Sequence, residues 1–159
     1  MKIKNTITSS LFGLIMTFSN ISFAQTNVFD DVIATSSNHT YLETALLQEG
    51  LDAALRQNPS CTVFAPDDSA FNNLASTLGV TISDLLALPN LSDILIYHVL
   101  NSTVLSTGIS NGAIVNPLST TNTLKLTKTS AGDVYVNHSQ VSTADLTVDN
   151  GVVHVVSEL

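Results

Sequence analysis

The stretch Thr62 to Phe71, TVFAPDDSAF, decides how this chain is read. Thr62, Val63, Phe64 and Ala65 form a short run rich in β-branched and aromatic residues, which predicts a buried strand. Pro66 has no N–H to donate, so strand pairing stops there. Asp67 or Asp68 then accepts hydrogen bonds from the free N–H groups of a helix start, where negative charge also suits the positive end of the helix. Ser69, Ala70 and Phe71 continue into that helix, and Leu74 and Leu78 follow at helical spacing. Burying Phe71 contributes about 1.5–3 kcal/mol. Ten residues thus specify a strand, a corner, a cap and a helix with an aromatic anchor.

On the N-terminal side, residues 28–57 carry helical periodicity. Val28, Val32 and Ile33 recur at helical spacing. Asn38 stands as the cap of a helix whose stripe is Tyr41, Leu42, Ala45 and Leu46. Gly50 ends that helix, and Leu51, Ala54 and Leu55 make a second short stripe. Asn58-Pro59-Ser60 is a turn into the Thr62 strand. On the C-terminal side, Gly79 is a helix stop, and Thr81 or Ser83 caps a short helix through Leu85 and Leu86. Leu91, Ile94, Leu95 and His98 fall on one face of another helix, with Val99 and Leu100 leaving as a strand. From residue 101 the periodicity changes to two: Leu124 and Leu126 alternate with polar residues, and Gly132 turns the chain into Val134, Tyr135 and Val136. Val141 starts a further short strand. Asp149-Asn150-Gly151 predicts a tight turn of positive φ before the apolar run Val152 to Val156, which carries His154. Helices first and strands later predict an α+β domain with the helices at one face or end of an antiparallel sheet.

The chain has 159 residues and a formal charge of −8. That length favours one domain with a core large enough to fold without metal or disulfide. Residues 1–24 have the pattern of a secretory signal peptide: Lys2 and Lys4 as the basic start, Leu11 to Phe18 as the apolar run, and Ser22-Phe23-Ala24 before the cleavage point. The apolar run is too short to span a bilayer. Loss of both lysines with the leader takes the charge to −10, which argues against nucleic acid and anionic membrane as partners. Cys61 is the single cysteine, so no internal disulfide forms. It reads as a small buried residue beside the Thr62 strand.

Three stretches in order resemble the fasciclin domain, FAS1, family: TVFAPDDSAF (62–71), LSDILIYHVL (91–100) with its Tyr97-His98 pair, and DNGVVHVVSEL (149–159). The helical lead-in LETALLQEGLDAALRQN and the segment VSTADLTVDNG fit the same pattern, and the match covers about residues 27–159. One departure is Asn101-Ser102-Thr103, where the family often has Pro-Gly. The resemblance implies a FAS1-like β-sandwich or wedge with helices packed along one edge, spanning residues 25–159 as a single domain. It implies an extracellular adhesion role and assigns partner contact to Asp93, Ile94, Tyr97 and His98. The structural motif positions it marks are Thr62, Pro66, Asp68, Phe71, Asn150, Gly151 and His154.

The residues themselves argue for no catalytic, cofactor or metal site. His39, His98, His138 and His154 lack metal-ligand spacing and have no cysteine companion. No nucleophile elbow, P-loop or dinucleotide turn occurs. Asp67-Asp68 reads as a cap in preference to an acid–base pair. His98, on an apolar stripe, has a structural reading beside the adhesive one: a ring hydrogen-bonded inward to the turn after Ala65. Asn-x-Ser/Thr sequons stand at Asn38, Asn90, Asn101 and Asn137, and Asn90 also reads as a helix cap. The combined expectation is a secreted, non-enzymatic module that binds an extracellular protein, with multivalent display or weak self-association raising its avidity. The runner-up is a polysaccharide-binding module using the polar strand face from Leu118 to Thr129; a hydrolase comes third. Intact-mass measurement of the exported protein is expected to give a chain beginning at Gln25, and retention of Met1 overturns the leader assignment.

Overall fold

The TVFAPDDSAF strand is β1 (Cys61–Pro66) in the computed structural model, which describes residues 24–119 and 122–159. Except for Ala24, the expected leader lies outside those residues. Every residue of β1 is buried, and Pro66 is its last member. The corner leads directly into α3 (Asp68–Leu78). Ahead of β1 come a π-helical segment (Val28–Ile33), α1 (Thr40–Gln48) and α2 (Asp52–Gln57). After α3 come α4 (Ile82–Leu86), α5 (Leu91–Tyr97) and β2 (Val99–Leu100). The remaining strands are β3 (Ala113–Val115), β4 (Leu124–Lys128), β5 (Val134–Val136), β6 (Ser139–Val148) and β7 (Gly151–Val156).

The strands form one sheet in the order β2-β1-β7-β6-β5-β4-β3. The α+β class and the FAS1-like wedge expected from sequence are what the structure has. The sheet is mixed, however, where an antiparallel one was expected. β1 and β7, the first long strand and the last, lie parallel in continuous register from Cys61↔Gly151 to Pro66↔Val156. Direction along a sheet depends on how distant strands meet, which periodicity does not encode. Like β1, β7 is buried along its whole length, as expected of a parallel pair covered on both faces.

The two faces of that pair carry two cores. On one face Val63, Ala65 and Val153 meet the helices, with Phe29, Leu46 and Phe71 among the buried residues of the cluster. Phe71 is fully buried and meets Tyr41 edge-on, ring centroids 6.0 Å apart. On the other face Phe64 and Val156 pack against Leu124 and Leu126 of β4 and Val134 and Val136 of β5. The sheet therefore folds back on itself. The bend comes from β6, whose register against β7 shifts between Val141 and Thr143 and again between Thr143 and Leu146. Such bulges bend and twist a strand. The short strand expected at Val141 is thus a ten-residue element.

Several local expectations change in the fold. The N-terminal segment is wound with five-residue bonding, Ala34 N–H to the Phe29 carbonyl at 2.8 Å, so Val28 and Ile33 share the buried face. Asn27 caps it, accepting from the N–H groups of Phe29 and Asp30. Asn38 does not cap α1: His39 occupies that position and makes no side-chain cap. Asn90 likewise stands at the cap position of α5 without a cap bond. Thr81 does cap α4, through a reciprocal box with Asp84. Leu78 is 55% exposed, because Gly79 ends α3 in the left-handed conformation before its last turn reaches the core.

The Asp149-Asn150-Gly151 turn is tight, but neither Asn150 nor Gly151 has positive φ. Gly151 is needed for a different reason. A Cβ there would lie 2.2 Å from the Cys61 carbonyl oxygen, because β1 passes directly beside it. Gly151→Ala is therefore expected to lower stability by about 1–3 kcal/mol or more through overpacking against backbone. Gly108→Ala, with open space and no positive φ, should stay within about 0.5 kcal/mol. Thermal unfolding of the two variants checks this; equal midpoints overturn it.

Candidate functional site

The strand–helix corner uses its two aspartates separately. Asp67 caps its own helix, accepting from the Ala70 N–H at 2.8 Å. Asp68 reaches across to α1 and accepts from the Tyr41 N–H at 2.9 Å and the Thr40 hydroxyl at 2.6 Å. It supplies the cap that α1 lacks in its own sequence. His39 lies beneath the corner, 4% exposed, with Nδ1 on the Ser36 hydroxyl at 2.7 Å. Its Nε2 faces the Ala65 carbonyl outside good hydrogen-bond geometry and is left without a partner. The ring that approaches the turn after Ala65 is therefore His39, where His98 was expected.

A second set of buried polar groups holds the segment after β2. The Thr62 hydroxyl donates to the Ser102 carbonyl at 2.6 Å and accepts from the Val104 N–H at 2.8 Å. His154, fully buried, stacks on Phe64 and donates from Nε2 to the Val104 carbonyl at 2.7 Å. That leaves its Nδ1 as the acceptor for the Asp145 N–H at 3.2 Å. Asp145 sits in the β6 bulge at φ 61, and its carboxylate takes the N–H and hydroxyl of Ser106. Burial pushes the Asp145 carboxyl up, but the Ser106 bonds with His154 and Lys128 more than offset it, and it stays below the usual range. Ser, His and Asp meet here without forming a nucleophile relay. The Ser106 hydroxyl points at the carboxylate, and His154 contacts only the Asp145 backbone. The group is a structural latch.

Asn150 performs the same task at the other end of β7. Its side chain accepts from the Val28 N–H at 2.9 Å and donates to the Leu55 carbonyl at 2.8 Å, so it ties the N-terminal segment and α2 to the sheet. Its carbonyl takes the Cys61 N–H at 3.0 Å. Cys61 itself is fully buried, and burial pushes its thiol up to about 11, which makes it an inert packing residue. Among the described residues no three His, Cys, Asp or Glu side chains converge as a metal site.

Asp93, Ile94, Tyr97 and His98 come together on the wall of one open cleft of about 660 Å³. Its floor is the second core, reached at Phe64, Leu124, Val136 and Val156. The latch at Thr62 and His154 therefore supports the floor from behind. The opposite rim brings in Ser119, Asn122, Asn137, His138 and Glu158. The sequence reading named Asn137 only as a sequon and His138 only among the histidines, and gave none of the five a place in a cleft. Ser119 and Asn122 lie in the polar stretch from Leu118 to Thr129, and the meeting of all five with α5 depends on the sheet folding back.

Within the cleft, Tyr97 and Asn137 are committed internally. The Tyr97 hydroxyl donates to the Thr123 carbonyl at 3.0 Å and accepts from the Asn137 amide at 3.1 Å. Asn137, at φ 54 in the β5–β6 turn, also accepts from the Lys125 N–H at 2.9 Å. His98 ends α5 with its ring against Tyr97, centroids 5.8 Å apart, and its Nδ1 on the Ile94 carbonyl at 2.7 Å. Its own carbonyl receives the Phe64 N–H at 2.8 Å, so α5 is stitched to β1 through backbone. Structural and surface roles are thus combined in one residue.

The fasciclin domain family matches residues 37–159. The chain is 32% identical over 147 residues to the transforming growth factor-beta-induced protein ig-h3 of Sus scrofa, covering 92% of this chain and 21% of that protein. It is 30% identical over 132 residues to protein sll1483 of Synechocystis sp., covering 81% of this chain and 70% of that one. The chain therefore spans about a fifth of the pig protein's length and most of the Synechocystis protein's. Among solved structures, the FAS1 domain pair of the insect cell adhesion molecule fasciclin I superposes with a TM-score of 0.67 at 16% identity. That alignment covers 84% of this chain and 50% of the other, and it identifies the fold. None of the described helices is long and apolar enough to cross a membrane.

Burial holds His39 below the ordinary 6.5, against the opposing pull of Asp67, Asp68 and the Ala65 carbonyl. Burial does the same to His98, against the Ile94 carbonyl. The unfolded chain binds these protons more readily than the folded one, so their contribution to stability is complete above pH 6.5 and is lost as pH falls through the lower folded values. The thermal midpoint is expected to fall between about pH 7 and about pH 5. The slope should flatten in the His39→Gln/His98→Gln double variant, and an unchanged slope overturns the assignment.

Proposed function

The chain belongs to the fasciclin domain family, and on that premise we propose that it is an exported, non-enzymatic binding module that meets an extracellular partner at the Asp93–His98 cleft. The fasciclin domain is in general an adhesion-type module. The reading includes export through a leader at Met1 to Ala24 and a single domain over residues 25–159. One observation supports it most. The four residues given a partner-binding role by resemblance line one cleft, on a frame braced from behind by the Thr62 and His154 hydrogen bonds. A preorganised surface loses little entropy on binding. One small cleft still gives modest affinity, so adhesion requires repeated display or self-association, which raises avidity without new contacts.

A second reading has its own observation. Ser119 and Asn122, from the polar strand stretch, line the same cleft, and a polysaccharide can hydrogen-bond such a rim. Hydrolysis is the remaining alternative, and the Ser106–Asp145–His154 meeting is arranged as a latch. The test is capture of native extracellular material by the mature domain, with a heat-denatured control and an Asp93→Ala/Ile94→Ala variant of unchanged melting temperature. Retention is expected to fall about tenfold in the variant, as for removal of central contact residues. Capture indifferent to the cleft sinks the assignment of the site. Binding confined to a glycan array selects the polysaccharide reading, and turnover of an ester or glycoside defeats the non-enzymatic one.

A further inference from the structure

We propose that the cleft receives a cationic side chain, lysine or arginine, presented by a protein partner; the inference rests on the adhesion reading above and specifies the chemistry the partner must carry. Above a floor of buried Phe64, Leu124, Val136 and Val156, the half-buried Ile94, Tyr97 and Leu159 of the lining offer apolar surface. The aliphatic stem of a long basic side chain lies on such a surface while its charged end stays at the rim. The rim supplies two carboxylates, Asp93 from α5 and Glu158 after β7, and neither is hydrogen-bonded through its carboxylate among the described residues. Among the described residues no lysine or arginine lines the cleft, although His98 and His138 do. Arg56 is paired with Asp30 and Asp52, and the Lys128 ammonium bonds the Ser106 carbonyl. Lys125 is on β4 outside the lining. With a chain charge of −8, both local and long-range fields draw in a cation.

The hydrogen-bonding groups left open point the same way. A carbonyl only accepts, so the 2.7 Å contact with Ile94 places the His98 proton on Nδ1. Nε2 then carries a lone pair, and it has no partner among the described residues. Burial disfavours the imidazolium, so near neutral pH the ring remains an acceptor. The Tyr97 hydroxyl and the Asn137 amide, both donor groups, are already engaged. What remains holds two carboxylates and an imidazole nitrogen that only accept, beside groups that both donate and accept, the Ser119 hydroxyl, the His138 ring and the amides of Asn90 and Asn122. An ammonium or guanidinium group is donor-only and matches the groups that only accept. A sugar hydroxyl both donates and accepts, and it would leave the carboxylate charge uncompensated.

The test is a two-dimensional NMR titration of the mature domain with capped Gly-Lys-Gly, Gly-Arg-Gly and Gly-Glu-Gly peptides and with a soluble glucose oligomer. A basic peptide is expected to shift the amides of Asp93, His98, Asn122 and Glu158, and added salt should weaken the effect. Affinity should drop about tenfold in Asp93→Asn/Glu158→Gln, since each exposed pair contributes modestly. The melting temperature of that variant is measured alongside. Absence of shifts with both basic peptides, equal shifts with the acidic one, or binding of the sugar in their place overturns the inference. Capture of extracellular material that persists in the double variant and under excess basic peptide leaves the adhesion reading standing while this inference falls. Loss of all capture with the basic-peptide shifts intact removes the adhesion reading instead.

Discussion

The structure depends on one close contact: β1 and β7 lie parallel at the middle of the molecule with both faces covered. At its N-terminal end the approach is so close that only the absence of a side chain at Gly151 lets the Cys61 carbonyl pass. Everything apolar is then sorted by strand alternation. Val63, Ala65 and Val153 look toward the helices, and Phe64 and Val156 look toward the folded-back strands. A pair buried on both faces has no water to satisfy stray polar atoms, and each one left unpaired costs roughly 1–3 kcal/mol. Three buried polar side chains next to this pair act as bridges, while His39 keeps its Nε2 unpaired. Thr62 and His154 hold the segment after β2, and Asn150 holds the N-terminal segment and α2.

These bridges separate the architecture of the domain from its surface chemistry. His154, Asp145 and Ser106 have the residue types of a hydrolytic relay, yet their bonds run the wrong way for proton transfer. Cys61 is likewise silenced by burial. Asp67 and Asp68, which as neighbours look like an acid pair, cap two different helices. The groups that most resemble chemistry in the sequence are consumed in holding the fold. The groups with open valences lie elsewhere, around a cleft floored by the second core.

That cleft exists because three separate devices converge. The β6 bulges turn β4 and β5 back over Phe64. The His98 carbonyl anchors the end of α5 to β1. Tyr97 and Asn137 lock the helix to the β5–β6 turn. These bonds tie α5, β1 and the β5–β6 turn into one surface and leave the Asp93 and Glu158 carboxylates without an internal partner among the described residues.

The helical lead-in, the strand–corner–helix of TVFAPDDSAF, a cap at Asp67 or Asp68 and another at Thr81 or Ser83, and the alternating strands were readable in the residues, because each rests on interactions within a few positions along the chain. The three ordered motifs also carried the family. The partners of those motifs were not readable. Asp68 serving α1, His39 in place of His98 under the Ala65 turn, Gly151 chosen for closeness instead of positive φ, and β1 meeting β7 in parallel are all contacts between segments far apart in sequence. The meeting of Asp93 and His98 with Asn122 and Glu158 in one cleft is of the same kind. The residues alone determined most of the elements and some of their ends, since propensity, capping and periodicity are local. The tertiary structure decided which polar groups are spent and which stay open, since that depends on which distant backbone each side chain reaches.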